Sequence, residues 1–428
     1  MKRNLLKQIR NEWKENIWLC IEMVIVSVVV WGILVSMIAS VYGIFTPRGF
    51  KYDDVYVANI KYVPRDSPQF IEPTDTSTAG QYRFYADDVR LLLARLREKP
   101  YIEAVALGCN GMPYNFSFYG TTCIEEGSTD SIQYHANRRS VSPDMALILR
   151  YESLDGKSHN DMRDALARGE VIISANEYYE NEGRDPRDLV GKMVVQYGYD
   201  GTSSLRVGGG LIQPVKRSDY EPSSSGTILM PIDESNDNDV IGNLQQIAIK
   251  VKPGMGGKLE EEFRNDPSLS RQRNLLVRDL RPLSRDRSIV QWTSNVRLRQ
   301  YGMSIFFLLF IVFLGQLGTL RYRVEQRVGE IAIRKVAGAT SSDIFRRFIG
   351  ESMILVCISS LVAWIIEVIV VKTDLLNIVS DDGWTGIMLV IYCALAVLLL
   401  LIISVITGVW IPARQAMKIE PAIALKNE

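Results

Sequence analysis

Histidine is scarce in this chain of 428 residues: His135 and His159 are the only two, they form no HExxH spacing, and no CxxC pair accompanies them. A zinc site or a metal-assisted hydrolase therefore has no ligand set to start from. A GxSxG elbow is missing too, which removes support for a serine hydrolase. Also lacking is a GxxxxGK[ST] loop, whose backbone amides and lysine would hold nucleotide phosphates. Gly156-Lys157-Ser158 has the right ending, but Tyr151 stands where the first glycine must be. Gly191-Lys192 and Gly257-Lys258 run on into Met193 and Leu259, without the metal-binding hydroxyl, and Gly208-Gly209-Gly210 has no lysine and reads as a tight turn. The chain is thus not expected to hydrolyse ATP, and no catalytic residue, metal site or cofactor site is expected on it.

Charge of one sign is not in excess either, since 49 Lys and Arg balance 49 Asp and Glu. A nucleic-acid partner, which needs a surplus of cations to neutralise phosphates, is not expected. The run Glu260-Glu261-Glu262 reads as a solvated helix face. Of five cysteines, Cys20, Cys357 and Cys393 fall in apolar runs and count as small hydrophobic residues. Cys109 and Cys123, 14 positions apart, are equally compatible with a disulfide in an oxidising compartment and with two buried thiols.

What the chain has in abundance is long apolar runs. Ile17 to Phe45 holds 29 residues with Glu22 as its only charge, and Tyr301 to Leu320 holds 20 with none. Phe348 to Val371 carries only Glu351 and Glu367, and Trp384 to Ile411 runs 28 residues uncharged. A hydrocarbon core of about 30 Å is spanned by roughly 20 helical residues, so four transmembrane helices are predicted. The first run follows Lys2, Arg3, Lys7, Arg10 and Lys14, as a signal peptide would. It is longer than the roughly 7 to 15 residues of a signal h-region and no clear cleavage site follows, so it reads as a retained anchor. Glu22, Glu351 and Glu367 can each reach an interface and read as structural or interfacial rather than as an ion pathway.

Lys and Arg beside short loops set orientation. The N-terminal arm carries five and the loop 321–347 seven, whereas the segment between the third and fourth runs has none and three acids, Asp374, Asp381 and Asp382. Both termini and the 321–347 loop are expected in the cytoplasm, with residues 46–300 outside. Net zero then resolves into +8 on the cytoplasmic side and −6 on the other, the rest lying in or beside the spans.

The fold class expected is an α-helical membrane protein with four transmembrane helices and a large α+β extracytoplasmic domain inserted between helices 1 and 2. In the outer segment, Val55, Val57, Ile60 and Tyr62 alternate as a strand, Asp87 to Lys99 places Val89, Leu92, Leu93 and Leu96 on one helical face, and Ile102 to Leu107 reads as strand. The order recurs with strand Leu244–Val251, helix Lys258–Asn265 and strand Asn274–Asp279. The organisation expected is an arm (1–16), a first span (17–45), an outer domain (46–285), a stalk helix (286–300), a second span (301–320), a coupling elbow (321–347), a third span (348–371), a fourth span (384–411) and a tail (412–428). Within the outer domain, a split α+β module (about 50–125 and 240–283) flanks an inserted subdomain (about 126–240). For 286–300, where Ile289, Trp292 and Val296 recur among arginines, an ordinary surface helix of the outer domain is the competing reading.

The loop 321–347 carries the strongest signal. Val324, Val328 and Ile331 recur at helical spacing against a charged face of Arg323, Glu325, Arg327, Glu330, Arg334 and Lys335. Gly338 is placed to end that helix in a left-handed conformation, and Thr340 with Asp343 three residues on starts the next as a capping box. A rigid elbow joined to two spans transmits a push from a cytoplasmic partner, although cations here also fix topology and attract anionic lipid.

The sequence Glu330-Ile331-Ala332-Ile333-Arg334-Lys335-Val336-Ala337-Gly338-Ala339-Thr340, followed by Asp343-Ile344 and Glu351, resembles the signature of the MacB/FtsX-type ABC transporter permeases. Pro412-Ala413-Arg414-Gln415-Ala416 and Ile419-Glu420-Pro421-Ala422-Ile423-Ala424-Leu425-Lys426 resemble that family's C-terminal ending, and 171–194 resembles a stretch of its outer domain. Ala332, Val336-Ala337 and Lys426 depart mildly from the pattern. The resemblance implies a permease of the bacterial inner membrane with a periplasmic domain, working as a mechanotransmitter. It implies a second, identical or different, permease chain as partner and a separate ABC ATPase subunit that holds ATP and Mg. It implies membrane lipid around the spans and allows a periplasmic adaptor and an outer-membrane factor. Glu330, Ile331, Arg334, Lys335, Gly338, Ala339 and Thr340 would form the ATPase-coupling element, with Arg334 and Lys335 facing the ATPase or lipid phosphates. Export from the periplasm or membrane is the leading expectation. Lipoprotein extraction, or FtsX-like activation of an extracellular partner such as a cell-wall hydrolase, is the alternative.

Overall fold

In the computed structural model, residues 13–115, 119–128, 133–198, 201–220, 226–244, 246–373 and 384–417 are described. The arm up to residue 12, the acidic loop 374–383 and the C-terminal motif from residue 418 lie outside them. The chain divides into two compact units, one of Met1–Ala39 with Val296–Glu428 and one of Ser40–Asn295.

In the first unit the uncharged runs form helices, because backbone polar groups within a bilayer must be satisfied inside the segment itself. Among the described residues, four helices are long and apolar enough to cross a membrane: Ile17–Phe45, Leu283–Gln326, Ser341–Lys372 and Met388–Met417. Met23, Val30, Trp31, Leu355, Val356, Cys393, Val397 and Leu401 form their common core, while Phe306, Phe307, Ile365 and Leu399 remain on the outside. Polar side chains bind the bundle together: Trp31 Nε1 donates to the Val390 carbonyl at 3.3 Å and Ser404 Oγ to that of Leu309 at 2.9 Å. In lipid such contacts and close packing, rather than hydrophobic burial, hold helices together. Gly408 fits this scheme, since a side-chain carbon there would lie 3.0 Å from the Phe313 carbonyl oxygen.

The second unit is built on one sheet of the strands β1 (Val55–Tyr62), β2 (Ile102–Cys109), β3 (Gly120–Glu125), β4 (Tyr134–Val141), β5 (Val171–Ser174), β6 (Met193–Gly198), β7 (Gly201–Ile212), β8 (Gly226–Pro231), β9 (Gln246–Val251), β10 (Arg271–Gln272) and β11 (Leu275–Pro282). Their order is β10-β11-β1-β9-β2-β4-β3-β6-β7-β5-β8. β1 lies antiparallel between β9 and β11, and β9 lies antiparallel between β1 and β2. The halves β1-helix-β2 and β9-helix-β11 thus interleave. Helix Thr78–Arg97 buries Ala86, Val89, Leu92, Leu93 and Leu96 in a core shared with Leu107, Ile247 and Ile249. Each such leucine contributes about 1.5–3 kcal/mol, and Leu93→Ala would cost about 2–5 kcal/mol. The helix starts nine residues before Asp87, where apolar periodicity begins, because the Ser77 hydroxyl caps it by accepting from the Gly80 amide.

Two features differ from the sequence reading. β3, expected with the split module that ended near residue 125, pairs with β4 and β6 instead, so the first segment of that module ends with β2 near residue 109. Among the described residues, strand pairing between the two halves of the sheet is limited to Gly108↔Val141 and Cys109↔Ser140, beside a core that Val57, Ala106 and Ala248 share with Ile172, Ile212 and Leu229. Gly208-Gly209-Gly210 is no tight turn: it lies within β7, where the left-handed Gly209 (φ 68°) and Gly210 (φ 84°) accompany a register irregularity against β5. Helix Leu283–Gln326 starts at the end of β11 and runs on without interruption, Leu283 and Val290 packing in the core of the second unit while Ile289 and Trp292 are exposed. Cys109 and Cys123 are not joined by a disulfide, and Cys123 is buried.

Candidate functional site

The nearest approach to a phosphate loop is a helix start. Ser158 caps helix His159–Ala167 through a reciprocal capping box with Asp161, so Gly156-Lys157-Ser158 is spent on local structure. Among the described residues no group of three or more His, Cys, Asp or Glu is arranged to hold a metal.

The elbow lies in the first unit. Helix Leu283–Gln326 breaks at the single residue Arg327 (φ −104°, ψ 17°), and a short helix, Val328–Val336, follows. It ends in a complete Schellman motif. Gly338 adopts φ 95°, its amide donates to the Lys335 carbonyl at 3.1 Å, and the Ala339 amide donates to that of Arg334 at 3.0 Å. Thr340 then starts helix Ser341–Lys372: its hydroxyl accepts from the Asp343 amide at 3.2 Å and its own amide donates to Asp343 Oδ2 at 3.0 Å. Only the four residues Ala337 to Thr340 separate the two helices, and the backbone amide of each of them is hydrogen-bonded.

Of the coupling residues named from sequence, Ile331 is buried beside Ala332 and anchors the short helix to the bundle core. Glu330 accepts from Arg334 Nη2 at 2.6 Å on the exposed side. Lys335 is half-buried, and its ammonium donates to the Met417 carbonyl at 2.7 Å, where a cation complements the carbonyl end of a helix. Arg334 and Lys335 are thus both engaged within the chain. Gly338 and Thr340 are exposed and Ala339 is half-exposed. On the outer side Ile333 and Val336 are 59% and 69% exposed.

An inner ion network backs the elbow, and the sequence reading missed it. Glu351 is buried, with Arg347 Nε at 3.3 Å and Arg327 Nη1 at 3.5 Å, while Arg347 Nη2 also reaches Glu330 at 3.7 Å. The Arg347–Glu351 spacing of four was a readable signal. The link to Arg327 was not, since it joins two helices across the turn. A short amphipathic helix is thereby pinned by its apolar side, its terminus and its charges.

These features define a polytopic membrane protein with a stiff elbow between two spans. Residues 302–421 match the family model described as FtsX-like permease C-terminal. The chain is 22% identical over 307 residues to the macrolide export ATP-binding/permease protein MacB of Escherichia coli O157:H7, covering 70% of this chain and 44% of that protein. It is 27% identical over 329 residues to another MacB of Escherichia coli, covering 73% and 47%. The chain thus spans about half the length of the curated relatives it matches. Among solved structures, the periplasmic region of MacB from Actinobacillus actinomycetemcomitans aligns at 10% identity over 58% of this chain and 97% of that one, with a TM-score of 0.32. The extracellular domain of the transporter YknZ from Gram-positive bacteria aligns at 9% over 52% and 100%, with a TM-score of 0.29. Residues 302–421 are thus those of an FtsX-like permease C-terminal region, as the elbow motif indicated, and the chain is similar to MacB permeases.

Proposed function

We propose that this chain is the permease subunit of a MacB-like ABC transporter. A separate ATPase subunit, carrying ATP and Mg, docks on the elbow at the cytoplasmic face, and its cycle moves the second unit on the outer face to drive export of a substrate from the periplasm or membrane. The observation that supports this reading most is the construction of the elbow. A Schellman glycine and a capping box leave little slack between two spans, and Ile333 and Val336 offer an apolar face beside the Glu330–Arg334 pair. Glu330, Ile331, Arg334, Lys335, Gly338, Ala339 and Thr340 act together in this scheme. Ile331 and Lys335 tie the helix to the bundle, Glu330 and Arg334 present charge to the ATPase, and Gly338 to Thr340 keep the turn stiff. The second permease chain completes the assembly, both termini lying in the cytoplasm.

Affinity purification of the full chain from membranes tests the reading. An ABC ATPase is expected to co-purify and to be stimulated by the chain, and an adaptor recovered with it would support export. Repeated absence of any ATPase, with no stimulation of candidates, would overturn the proposal. Recovery of a cell-wall hydrolase instead would favour the signalling alternative.

A further inference from the structure

Lys216 and Asp219 are 2% and 3% exposed and lie in the segment 213–220 that leaves β7 on the way to β8. Two buried charges in a surface connection are costly unless each is paired and fully hydrogen-bonded, so their partners show what the segment holds.

The partners are the ends of the two long helices that enter the second unit. Lys216 Nζ donates to the Gly43 carbonyl at 2.5 Å, the Thr46 carbonyl at 2.9 Å and the Thr46 hydroxyl. Gly43 lies in the last turn of helix Trp13–Phe45, whose final carbonyls have no partner within the helix. A lysine from far along the sequence therefore caps it. Asp219 Oδ2 accepts from Arg287 Nε and Nη2 at 2.9 and 2.7 Å and from Gln291 Nε2 at 2.5 Å, both in the first turns of helix Leu283–Gln326. Its other oxygen accepts from the Tyr114 hydroxyl at 2.7 Å and lies 3.5 Å from Arg48 Nε. The Tyr220 hydroxyl donates to Asn295 on the same helix. Burial alone would push the Asp219 carboxyl up; the hydrogen bonds from Tyr114 and Arg287 and the charges of Arg48 and Arg287 outweigh it and hold the group below the usual carboxylate range.

On its other side the segment is tied to the sheet. The Gln213 amide donates to the Glu152 carbonyl at 2.8 Å, and the Val215 amide to Thr227 Oγ1 in β8 at 3.0 Å. The buried guanidinium of Arg139, in β4, donates to the Val215 carbonyl at 3.1 Å. Gly49 lets the backbones meet: it has φ 81°, and a side-chain carbon there would stand 2.4 Å from the Pro214 oxygen.

The two halves of the sheet are therefore attached to the helices differently. The split module is attached through the chain itself, since β1 follows the first helix and β11 runs into the second. The half made of β3 to β8 has no such covalent connection to the helices; it pairs with β2 at two residue pairs and shares a core with β1, β2 and β9, so the segment 213–220 is its direct hydrogen-bonded and ionic link to the helix ends. We propose that the segment 213–220 is a clasp that makes the β3–β8 half follow the two helix ends, with Asp219 as its positioning residue. The clasp rests on the reading that the second unit is moved by the helices, and it names the route by which that movement reaches the half of the sheet that chain continuity does not drive.

The test uses the full chain, with Cys357→Ser, in lipid nanodiscs with its co-purified ATPase. Nitroxide labels replace the exposed residues Trp292, Tyr197 on β6 and Tyr82 on the split module, in pairs. The native chain is expected to give a narrow Trp292–Tyr197 distance distribution. Asp219→Asn and Lys216→Met should each widen it at least two-fold, leave the Trp292–Tyr82 width unchanged and stimulate the ATPase as the native chain does. Asp219→Glu, which keeps the charge, should restore the narrow distribution. A native Trp292–Tyr197 width in both variants would overturn the clasp while leaving the proposed function standing. A native chain that does not stimulate the ATPase would overturn the proposed function and the coupling role built on it. Equal widening of both pairs would overturn the assignment of the segment to one half of the sheet.

Discussion

The elbow at Gly338–Thr340 and the clasp at Lys216–Asp219 both join a long apolar helix to another part of the chain, by opposite means. The elbow is local, its capping residues and its outer ion pair are exposed, and it gains stiffness from backbone hydrogen bonds within about ten residues. The clasp is long-range, and it gains stiffness from two buried charges, Lys216 and Asp219, that are themselves shielded from solvent. An exposed joint of the first kind loses little when one contact goes, because water replaces the missing partner. A buried joint of the second kind loses most of its hold at once, because the remaining charge is stranded.

The largest effect should come from Asp219→Ala, which leaves Arg287 and the Tyr114 hydroxyl without their acceptor. Breaking a fully buried ion pair costs about 3–5 kcal/mol; because the Arg287 and Arg48 side chains are 31% and 41% exposed, the loss here should be smaller, about 1–3 kcal/mol, and denaturant unfolding followed by tryptophan fluorescence should show it. A loss below about 1 kcal/mol would place the clasp with the elbow rather than against it. The pH dependence sharpens the contrast. The folded Asp219 carboxyl lies below its unfolded value near 3.9, so its contribution is complete above that value and is lost as pH falls through the depressed folded one. The native chain should lose this increment in that window, and Asp219→Asn should not.

Gly338→Pro comes next. Proline holds φ near −65° and has no amide hydrogen, so it can reproduce neither the φ of 95° nor the bond to the Lys335 carbonyl. Membrane insertion should be retained while stimulation of the ATPase is abolished, and full stimulation would break the elbow reading. Smallest is Thr340→Ala, with a loss of about 1 kcal/mol from the third apolar helix. Stimulation should weaken measurably without disappearing. A loss as complete as that of Gly338→Pro would mean that the cap, and not the turn, carries the coupling.

The same contrast separates what the sequence made legible from what it hid. Gly338, Thr340 and Asp343 could be assigned because a left-handed turn and a capping box are written within a few consecutive residues. The four apolar helices were legible from length and charge alone. The interruption at Arg327 was not, since nothing in the run Arg323 to Ile331 breaks helical periodicity. It accompanies the pairing of Arg327 with Glu351 on the next helix. β3 was grouped with the wrong half of the sheet because a short strand carries no mark of its partner. The triple glycine of β7 looked like a turn because its close neighbours, Ile172, Asp155 and Glu170, come from elsewhere in the chain. The segment Pro214-Val215-Lys216-Arg217-Ser218-Asp219 has the composition of an ordinary surface loop, and only the fold brings Gly43, Arg48, Arg287 and Gln291 to it.

The seam of two residue pairs between β2 and β4 bears on how such chains can be recombined. Exchanging the β3–β8 half between related permeases looks like a clean cut when judged by strand pairing alone. A graft made there would arrive with a lysine and an aspartate fitted to helix ends it had left behind. A working chimera must carry residues 43–52 and 287–295 along with the donor half, so the natural unit of exchange is larger than the sheet suggests.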